Sequence, residues 1–531
     1  MSTYISGCKG LEPDMCIKNP SCSYVRGRKR QYCRLKNNRT KKAKKAKHTN
    51  TETNTSKKNK KSEVDVIQQF MRNTTFKRKA EFLKANCVDS GACYAFGLMK
   101  KRIVSFFNGF TAFEFVKPPI VAIGNPSANG FVKSLQYERK GYTANAVLKS
   151  STKASADNLA YEFVVGCYLN KMSKQFPCFV DTHGLYYYKD EALWEHARDT
   201  KVMQTNVLRD SLKIYKTSDK YTNDVSNIIN DGVCEGSKYS AILIQHLRNV
   251  KTISDVFRKE SDKTIHKFIL FDLMYVLYQV YMPLAMMVNN FTHYDLHHSN
   301  VMLYEPIEDK YIQYHYHIGN DIVSFKSSYM VKIIDYGRAF YKDPDNSKNT
   351  ATSVLKEICT IPDCNEKPEV CGDKSGFKYL TNDAVPSTHY MSSSIKNPSS
   401  DLRLIHMLAK DHDVGSASAV FSTKLYDKYG EDTIRDAFEP LMYLMENTNY
   451  GIGLGLDPDK DAIYGTRPLT HNGFPSRINN VEDAEKFIRT AIMTNQTMYD
   501  LNEHKYENMD KLGDMHVFSD GRNLKFKVYR E

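Results

Sequence analysis

The sequence contains no uninterrupted hydrophobic run long enough to predict a membrane span. Its longest apolar stretch, residues 268–288, includes Asp272, Gln279 and Pro283, and a bilayer would bury these polar groups at a high cost in free energy. The first ten residues are polar, so we expect no secretory signal peptide. These two absences favour an intracellular protein in which residues 268–288 form a buried helix.

Acidic residues are almost missing from one segment of the chain. Residues 26–61 contain 16 Lys or Arg and a single acid, Glu52. The whole chain has 75 basic and 61 acidic residues, so the remainder has 59 basic and 60 acidic residues, a net charge of −1. The net charge of +14 therefore belongs to this segment.

Apolar residues are also scarce in residues 39–62, which predicts a Lys-rich flexible linker. Three interpretations of the basic segment stay open: a solvated tail, a nuclear address, and contact with an acidic partner or with nucleic-acid phosphates through residues 26–61. The lysine run has no interleaved aromatic residue, which argues against base stacking.

The N-terminal cysteines lack the paired Cys-x₂-Cys spacing of common zinc sites. Cys8, Cys16, Cys22 and Cys33 are separated by seven, five and ten residues, which predicts a small Cys-containing unit over residues 1–38. Two disulfides, one Zn²⁺ ion and unlinked thiols are all compatible with this spacing. Six scattered cysteines are expected to be free thiols because no secretory signal is seen: Cys87, Cys93, Cys167, Cys178, Cys234 and Cys359.

The remaining chain is long enough for two or three folded domains, and its aromatic content of 12% predicts a globular body. The apolar spacing predicts an α+β protein with three further segments. These are a helical extension at 63–115, a β-rich unit at 116–250, and a mainly helical unit at 251–531 with inserts near 304–329 and 341–395.

Local patterns predict the elements of the β-rich unit. We expect a hairpin over residues 178–188 that turns at 181–184, and a turn from Gly124 to Gly130 between two strands. Backbone N–H groups of the second turn could lie over a polyphosphate, although these are also ordinary hairpin residues. Further apolar runs predict strands at 120–123, 131–137, 142–149 and 241–247, and a helix at 156–172.

Lys149 ends one of these apolar strands, so its ammonium group could reach phosphate oxygens. Glu162 on the following helix is the candidate partner that would fix it. The alternative is a surface position for both side chains, which is the commoner fate of Lys and Glu.

The strongest chemical signal is the octet His-Tyr-Asp-Leu-His-His-Ser-Asn at 293–300, followed 35 residues later by Asp335-Tyr336-Gly337. One tight loop could direct Asp295 and Asn300 to a single point. Phosphoryl transfer needs a group that accepts the hydroxyl proton and two oxygen ligands for a metal, and Asp295, Asn300 and Asp335 would supply them. A Zn²⁺ site is the alternative, formed by His293, His297 and His298.

The octet resembles the catalytic loop of protein kinases and kinase-like phosphotransferases, and Asp-Tyr-Gly resembles their metal-binding triplet. The resemblance covers about residues 118–420 and implies a two-lobed protein-kinase-like fold, with a small β-rich lobe and a large helical lobe. It implies ATP and Mg²⁺ as cofactors, Asp295 as the catalytic residue, and Asn300 and Asp335 as metal ligands.

The same resemblance implies further roles. Asp401 would brace the catalytic loop, and Ile244 would stand at the gatekeeper position. The residues that it implies for nucleotide binding are Gly124, Gly130, Lys149, Glu162, Gln245, His246 and Leu247, the last three as a hinge that meets adenine.

The chain departs from this family at three places. Tyr294 stands where regulated kinases carry Arg, His297 stands where Ser/Thr kinases carry Lys, and no Ala-Pro-Glu follows Asp335. His297 resembles the aminoglycoside- and choline-type phosphotransferases. This departure argues against a protein acceptor. The resemblance as a whole still implies a protein kinase that acts on Ser or Thr, with a small-molecule kinase and an inactive pseudokinase scaffold as alternatives.

The arrangement of the whole chain resembles the divergent kinases of large cytoplasmic DNA viruses, especially iridovirus-like ones. The features that carry this resemblance are the Cys-containing unit, the Lys-rich linker and Asp-Tyr-Gly-Arg at 335–338. It implies a viral protein located in the host cytoplasm or the virion, with the nucleus reachable through the Lys-rich segment.

Overall fold

A computed structural model describes residues 22–26, 31–35, 106–110, 113–127, 130–139, 142–151, 159–217, 239–247, 250–357, 378–380, 390–411, 423–448, 470–471, 474–475 and 478–528. The chain divides into two compact units, Met1–Arg72 and Asn73–Glu531. The predicted linker and most of the predicted helical extension lie outside the described residues.

In the first unit, β1 (Cys22–Arg26) and β2 (Gln31–Leu35) form an antiparallel pair. Cys22 is disulfide-bonded, which favours the disulfide interpretation over Zn²⁺ for this cysteine. Cys8, Cys16 and the side chain of Cys33 lie outside the described residues. In the second unit, Cys167 and Cys178 are free thiols, as predicted.

The first part of the second unit is a seven-stranded antiparallel sheet with the strand order β7-β3-β4-β5-β9-β6-β8. Its strands are β3 (Val116–Ser127), β4 (Gly130–Arg139), β5 (Tyr142–Ser150), β6 (Thr182–Tyr188), β7 (Val202–Met203), β8 (Leu212–Thr217) and β9 (Ser240–His246). The helices of this part are α1 (Leu159–Met172), α2 (Glu191–Asp199) and α3 (Thr205–Ser211).

Alternating side chains of this sheet enter two hydrophobic cores, as the period of two in a strand requires. Leu185 and Ile242 pack in the same core as α1. Leu135, Tyr186 and Leu243 enter the other core, which includes residues of α2 and α3. The sheet therefore contributes to two apolar cores, one shared with α1 through β6 and β9 and the other shared with α2 and α3.

Two predictions for this sheet are wrong. Residues 178–188 form no hairpin, because β6 runs without a turn from Thr182 and pairs with β8 and β9. Phe179 instead makes a parallel bridge to Ile333. The predicted turn at 124–130 is too long, because β3 continues to Ser127 and pairs with Gly130. Both segments contain residues common in turns, but pairing with neighbouring strands keeps them extended.

The second part of this unit combines helices with smaller sheets. The helices are α4 (Ile253–Lys259), α5 (Asp262–Phe271), α6 (Leu273–Met286), α7 (Ala351–Glu357), α8 (Arg403–Asp411), α9 (Thr423–Tyr429), α10 (Glu431–Asn447), α11 (Val481–Thr494) and α12 (Gln496–Lys505). Short 3₁₀ turns occur at Asn108–Phe110 and Ser400–Leu402.

The strands of this part are β10 (Val250–Thr252), β11 (Phe291–Thr292), β12 (Val301–Tyr304), β13 (Lys310–Ile318), β14 (Asp321–Ser327), β15 (Met330–Ile333), β16 (Phe340–Tyr341), β17 (Lys378–Leu380), β18 (Tyr390–Ser392), β19 (Thr470–His471), β20 (Phe474–Pro475), β21 (Asp510–Phe518) and β22 (Lys525–Val528). The described residues therefore confirm the α+β class.

The expectation of a mainly helical second part is wrong in one respect. The insert predicted near 304–329 contains the hairpin β13–β14, and this hairpin joins β21 and β22 in a four-stranded sheet. β13 and β21 are parallel although about 200 residues separate them. One face of this sheet packs on the helical core through Tyr314, Tyr316 and Phe325.

The apolar stretch 268–288 is not one helix, because α5 and α6 meet at Asp272 with a bend of 53°. Asp272 accepts a hydrogen bond from the Tyr506 hydroxyl at 3.2 Å and pairs with Lys505. Across the described ranges, no single helix has the length and apolarity needed to cross a membrane, and this bent pair meets those criteria by length and composition alone.

Candidate functional site

Residues 293–300 form a loop between β11 and β12 that Asp401 holds in place. The buried Asp401 carboxylate accepts backbone hydrogen bonds from His293 at 2.8 Å and from Tyr294 at 2.9 Å. Burial raises the pKa of Asp401 to about 7, and the two N–H donors oppose this rise. Tyr294 has a φ of 65°, a strained left-handed conformation that requires such support from its surroundings.

The pairing of β12 with β15 brings the two distant motifs together. Val301 is paired with Ile333, and the Ile334 amide donates to the Asn300 carbonyl at 3.1 Å. Asn300 therefore lies beside the turn that carries Asp335, as predicted. The side-chain nitrogen of Asn300 donates a hydrogen bond to the backbone carbonyl of Asp295 at 2.9 Å. The side-chain oxygen of Asn300 is therefore the atom that could bind a metal.

Lys149 connects the sheet to this turn. Its Nζ lies 2.8 Å from Glu162 Oε2 and 2.8 Å from Asp335 Oδ1, so the predicted pair of Lys149 and Glu162 is present. β5 is a central strand that pairs with both β4 and β9. Lys149 lies near the end of β5, and these two pairings fix the position of its backbone. Asp335 has a φ of 68°, a second strained residue at the same point.

The three charges influence one another. Burial opposes the charge on Lys149, but Asp335 and Glu162 outweigh this effect and raise its pKa above the usual value. The Lys149 ammonium holds the pKa of Asp335 below its usual range. Burial raises the pKa of Glu162 to about 7, and Lys149 offsets part of that rise.

Asp295 lies on the same loop and has two neighbours of its own. Arg403 Nη1 donates to Asp295 Oδ1, and His297 Nε2 lies 3.7 Å from the same oxygen. Burial lowers the pKa of His297, which favours its neutral form. The sequence analysis assigned Arg403 no role, although its position two residues after Asp401 was an available signal.

The hinge prediction concerns the end of β9. The backbone amide of Gln245 donates to the Asp181 carbonyl at 2.7 Å, and the side-chain oxygen of Gln245 accepts from the backbone amide of Asp181 at 3.3 Å. The backbone N–H group of Gln245 is therefore already hydrogen-bonded. His246 is the last residue of β9, and the buried Leu247 follows it.

The predicted glycines have a structural role that the sequence did not reveal. A Cβ atom on Gly130 would lie 2.5 Å from the Ser150 carbonyl oxygen, so the close approach of β4 and β5 requires glycine there. Gly124 lies within β3. The tip of this hairpin, residues 128–129, lies outside the described residues.

The metal predictions depend on which donor atoms are available. In the part of the chain that the structure describes, no group of three His, Cys, Asp or Glu side chains could hold a metal ion by itself. The Zn²⁺ alternative at His293, His297 and His298 gains no support, and His293 Nε2 lies 2.9 Å from the Ile334 carbonyl. The oxygens of Asn300 and Asp335 suit Mg²⁺, which commonly takes one or two protein ligands and completes its shell with phosphates and water.

A cavity of about 720 Å³ lies elsewhere, between α5, α9 and α12. None of the predicted site residues lines it. The candidate site is therefore separate from this cavity and is defined by the convergence of charged side chains.

Comparison with protein-family models and with curated protein sequences finds no match to this chain.

Proposed function

We propose that the chain is an ATP- and Mg²⁺-dependent phosphotransferase with a protein-kinase-like fold, and that its acceptor is a Ser or Thr hydroxyl of a protein. The observation that carries this proposal is the position of Lys149 Nζ, 2.8 Å from both Glu162 and Asp335. Lys149 and Glu162 are 13 positions apart, and Asp335 joins them from 186 positions further along than Lys149. They meet beside the loop that contains Asp295 and Asn300.

Each residue has a role in this proposal. Lys149, fixed by Glu162, would bind the α and β phosphates, and Asp295 would orient the acceptor hydroxyl and take its proton. Asn300 and Asp335 would hold Mg²⁺, which neutralises phosphate charge when bound. Charge neutralisation and positioning supply most of the acceleration in such reactions.

Two observations support an active site over an inactive scaffold. Tyr294 and Asp335 are two of the six described non-glycine residues with positive φ, and such strain is frequent at active sites. The buried Asp401 carboxylate also holds the loop backbone with two hydrogen bonds, and a fixed loop geometry is what an active site requires. Because the Gln245 N–H is already bonded, adenine would use the remaining hinge groups, the Gln245 carbonyl and the Leu247 backbone.

The test is transfer of labelled γ-phosphate. The purified full chain is incubated with labelled ATP and Mg²⁺, with a panel of proteins and small alcohols as acceptors. We expect labelled protein Ser or Thr, no transfer after chelation of Mg²⁺, and a loss of about 10³-fold in turnover for Asp295→Ala. The exposed Asp210→Ala is the matched control, and its turnover should equal that of the unaltered chain.

Other outcomes would reject parts of the proposal. If Asp295→Ala stays within about tenfold of the unaltered chain, a difference of roughly 1.4 kcal/mol in the barrier, Asp295 is not the catalytic residue. Labelling of small alcohols alone would favour a small-molecule kinase. Binding of Mg²⁺-ATP without transfer to any acceptor would favour the pseudokinase scaffold.

A further inference from the structure

Arg403 contacts the carboxylate to which the proposed reaction assigns the proton transfer. It is the first residue of α8, and its Nη1 donates to Asp295 Oδ1. The Arg403 side chain is 16% exposed and that of Asp295 is 27% exposed. The pair is therefore mostly enclosed, unlike the exposed ion pairs that contribute little.

The backbone of Arg403 is fixed relative to the loop. Asp401, two residues earlier, binds the His293 and Tyr294 amides. Arg403 itself is helical, with φ −51° and ψ −36°. The same short segment therefore holds the loop backbone through Asp401 and the Asp295 side chain through Arg403, so this contact is part of the site's construction.

Of the other cationic side chains near the site, Arg338 acts on the charge of Asp335, and Lys149 and His297 are engaged or neutral. Lys149 binds Glu162 and Asp335. His297 lies 3.7 Å from Asp295, and burial lowers its pKa. Among the described contacts of Asp295, Arg403 is the partner whose charge is permanent, because a guanidinium group does not lose its proton in proteins.

Phosphoryl transfer builds negative charge on the oxygens of the transferred group. The acceptor oxygen bonds to the γ phosphorus while the bond from that phosphorus to the β,γ-bridging oxygen breaks, and ADP leaves with the electron pair. The acceptor proton goes to Asp295. A cation that touches Asp295 therefore lies next to the group in transfer.

We propose that Arg403 contacts the γ-phosphoryl group of ATP and Asp295 together, and so is a catalytic residue; this inference rests on the proposed phosphotransferase function. A guanidinium group has five N–H donors, and Asp295 uses one nitrogen. The remaining donors are suited to phosphate oxygens, for which Arg is the preferred residue.

The test compares two nucleotides that differ in the γ-phosphate. Affinities for ADP and for a non-hydrolysable ATP analogue are measured with Mg²⁺ for the unaltered chain, Arg403→Gln and Arg403→Lys. We expect Arg403→Gln to lose about tenfold in affinity for the analogue, as loss of one charge-assisted hydrogen bond implies, with ADP affinity unchanged. Its turnover should fall by about 100-fold, and Arg403→Lys should recover part of both losses because it keeps the charge.

The control is Arg435→Gln, an exposed Arg that also pairs with a carboxylate, Asp432; it should change neither affinity. The inference is overturned if Arg403→Gln binds both nucleotides as the unaltered chain does, or if its affinity for both falls equally. Arg403 would then act on Asp295 or on stability, and the proposed function would stand. If the unaltered chain binds neither nucleotide, the proposed function fails and this inference fails with it.

Discussion

At the scale of single residues, Lys149 neutralises a carboxylate that water hardly reaches. The Glu162 side chain is 3% exposed and that of Lys149 is 20% exposed. Removing one partner of a buried ion pair leaves an uncompensated charge, which costs more than the pair contributes when it is intact. The stability of the site therefore depends on both partners together.

This coupling predicts a non-additive pair of substitutions. Lys149→Met should lower the free energy of unfolding by about 3 kcal/mol, because it leaves Glu162 buried without its cation. Glu162→Gln in the same chain should restore part of this loss, since glutamine carries no charge. The cost at Asp335, which Lys149 also binds, remains. Urea unfolding of the two single variants, the double variant and the unaltered chain measures the coupling.

The more exposed pair Lys117–Glu138, whose side chains are 53% and 31% exposed, provides the control. Lys117→Met should cost about 0.5 kcal/mol or less. Additive losses for Lys149→Met and Glu162→Gln would show that the buried pair is not coupled, against the geometry described above.

Much of the site was predictable at this scale, because motif spacing limits which residues can meet. The contact of Lys149 with Glu162 and the proximity of Asn300 to Asp335 both follow from strand ends and tight loops. The contact of Arg403 with Asp295 and the bonded N–H of Gln245 were not predictable. Both contacts depend on how a side chain or a backbone amide is oriented toward a partner that is far away in sequence. The local sequence pattern does not specify this orientation.

At the scale of elements, the parallel pair β13–β21 presents three histidines on one face, which we call the histidine strip: His315, His317 and His516. His317 Nε2 lies 3.0 Å from His516 Nδ1, and the rings of His315 and His516 stack at 4.7 Å. The hydrogen bond needs a ring nitrogen without a proton as its acceptor. Charged groups facing the strip come from β21, β22 and the turn between them: Lys511, Asp514, Asp520, Arg522 and Lys525.

The histidine strip predicts a loss of stability in acid. Burial holds the pKa of all three imidazoles below the usual value, so the unfolded chain binds protons more tightly than the folded chain. Their contribution is therefore fully present above the unfolded pKa of about 6.5 and is lost as the pH falls below it. Free energies of unfolding at pH 8 and pH 5.5 should differ less in His516→Gln than in the unaltered chain.

His196→Gln is the control, because His196 is exposed on α2 and lies outside the strip. This variant should keep the pH dependence of the unaltered chain. An equal pH dependence in His516→Gln and the unaltered chain would contradict the role given to the strip.

The histidine strip also shows why the pairing of β13 with β21 was not predicted from the sequence. Alternation of Tyr and His over 314–317 is a typical strand signal, so β13 could have been recognised. Its pairing with β21 could not, because about 200 residues separate the strands and nothing local specifies the partner. The break at Asp272 is similar, since the partners Lys505 and Tyr506 lie on and just after α12.

At the scale of the whole molecule, the described residues confirm an α+β protein in which two distant motifs meet through one strand pair. Val301 is paired with Ile333. The candidate metal ligand Asn300 immediately precedes Val301, and the candidate ligand Asp335 follows Ile333 by two residues. This convergence was predicted, whereas the four-stranded sheet that covers the helical part was not. The proposed function requires that a metal–nucleotide complex binds where Asn300 and Asp335 come together.

The most direct measurement is a crystal structure of the full chain with a non-hydrolysable ATP analogue and Mn²⁺, which replaces Mg²⁺ and can be located by anomalous scattering. The account predicts an anomalous peak about 2.2 Å from oxygens of Asn300 and Asp335, with Lys149 against the α and β phosphates. A nucleotide bound elsewhere, or a metal peak distant from both side chains, would contradict it.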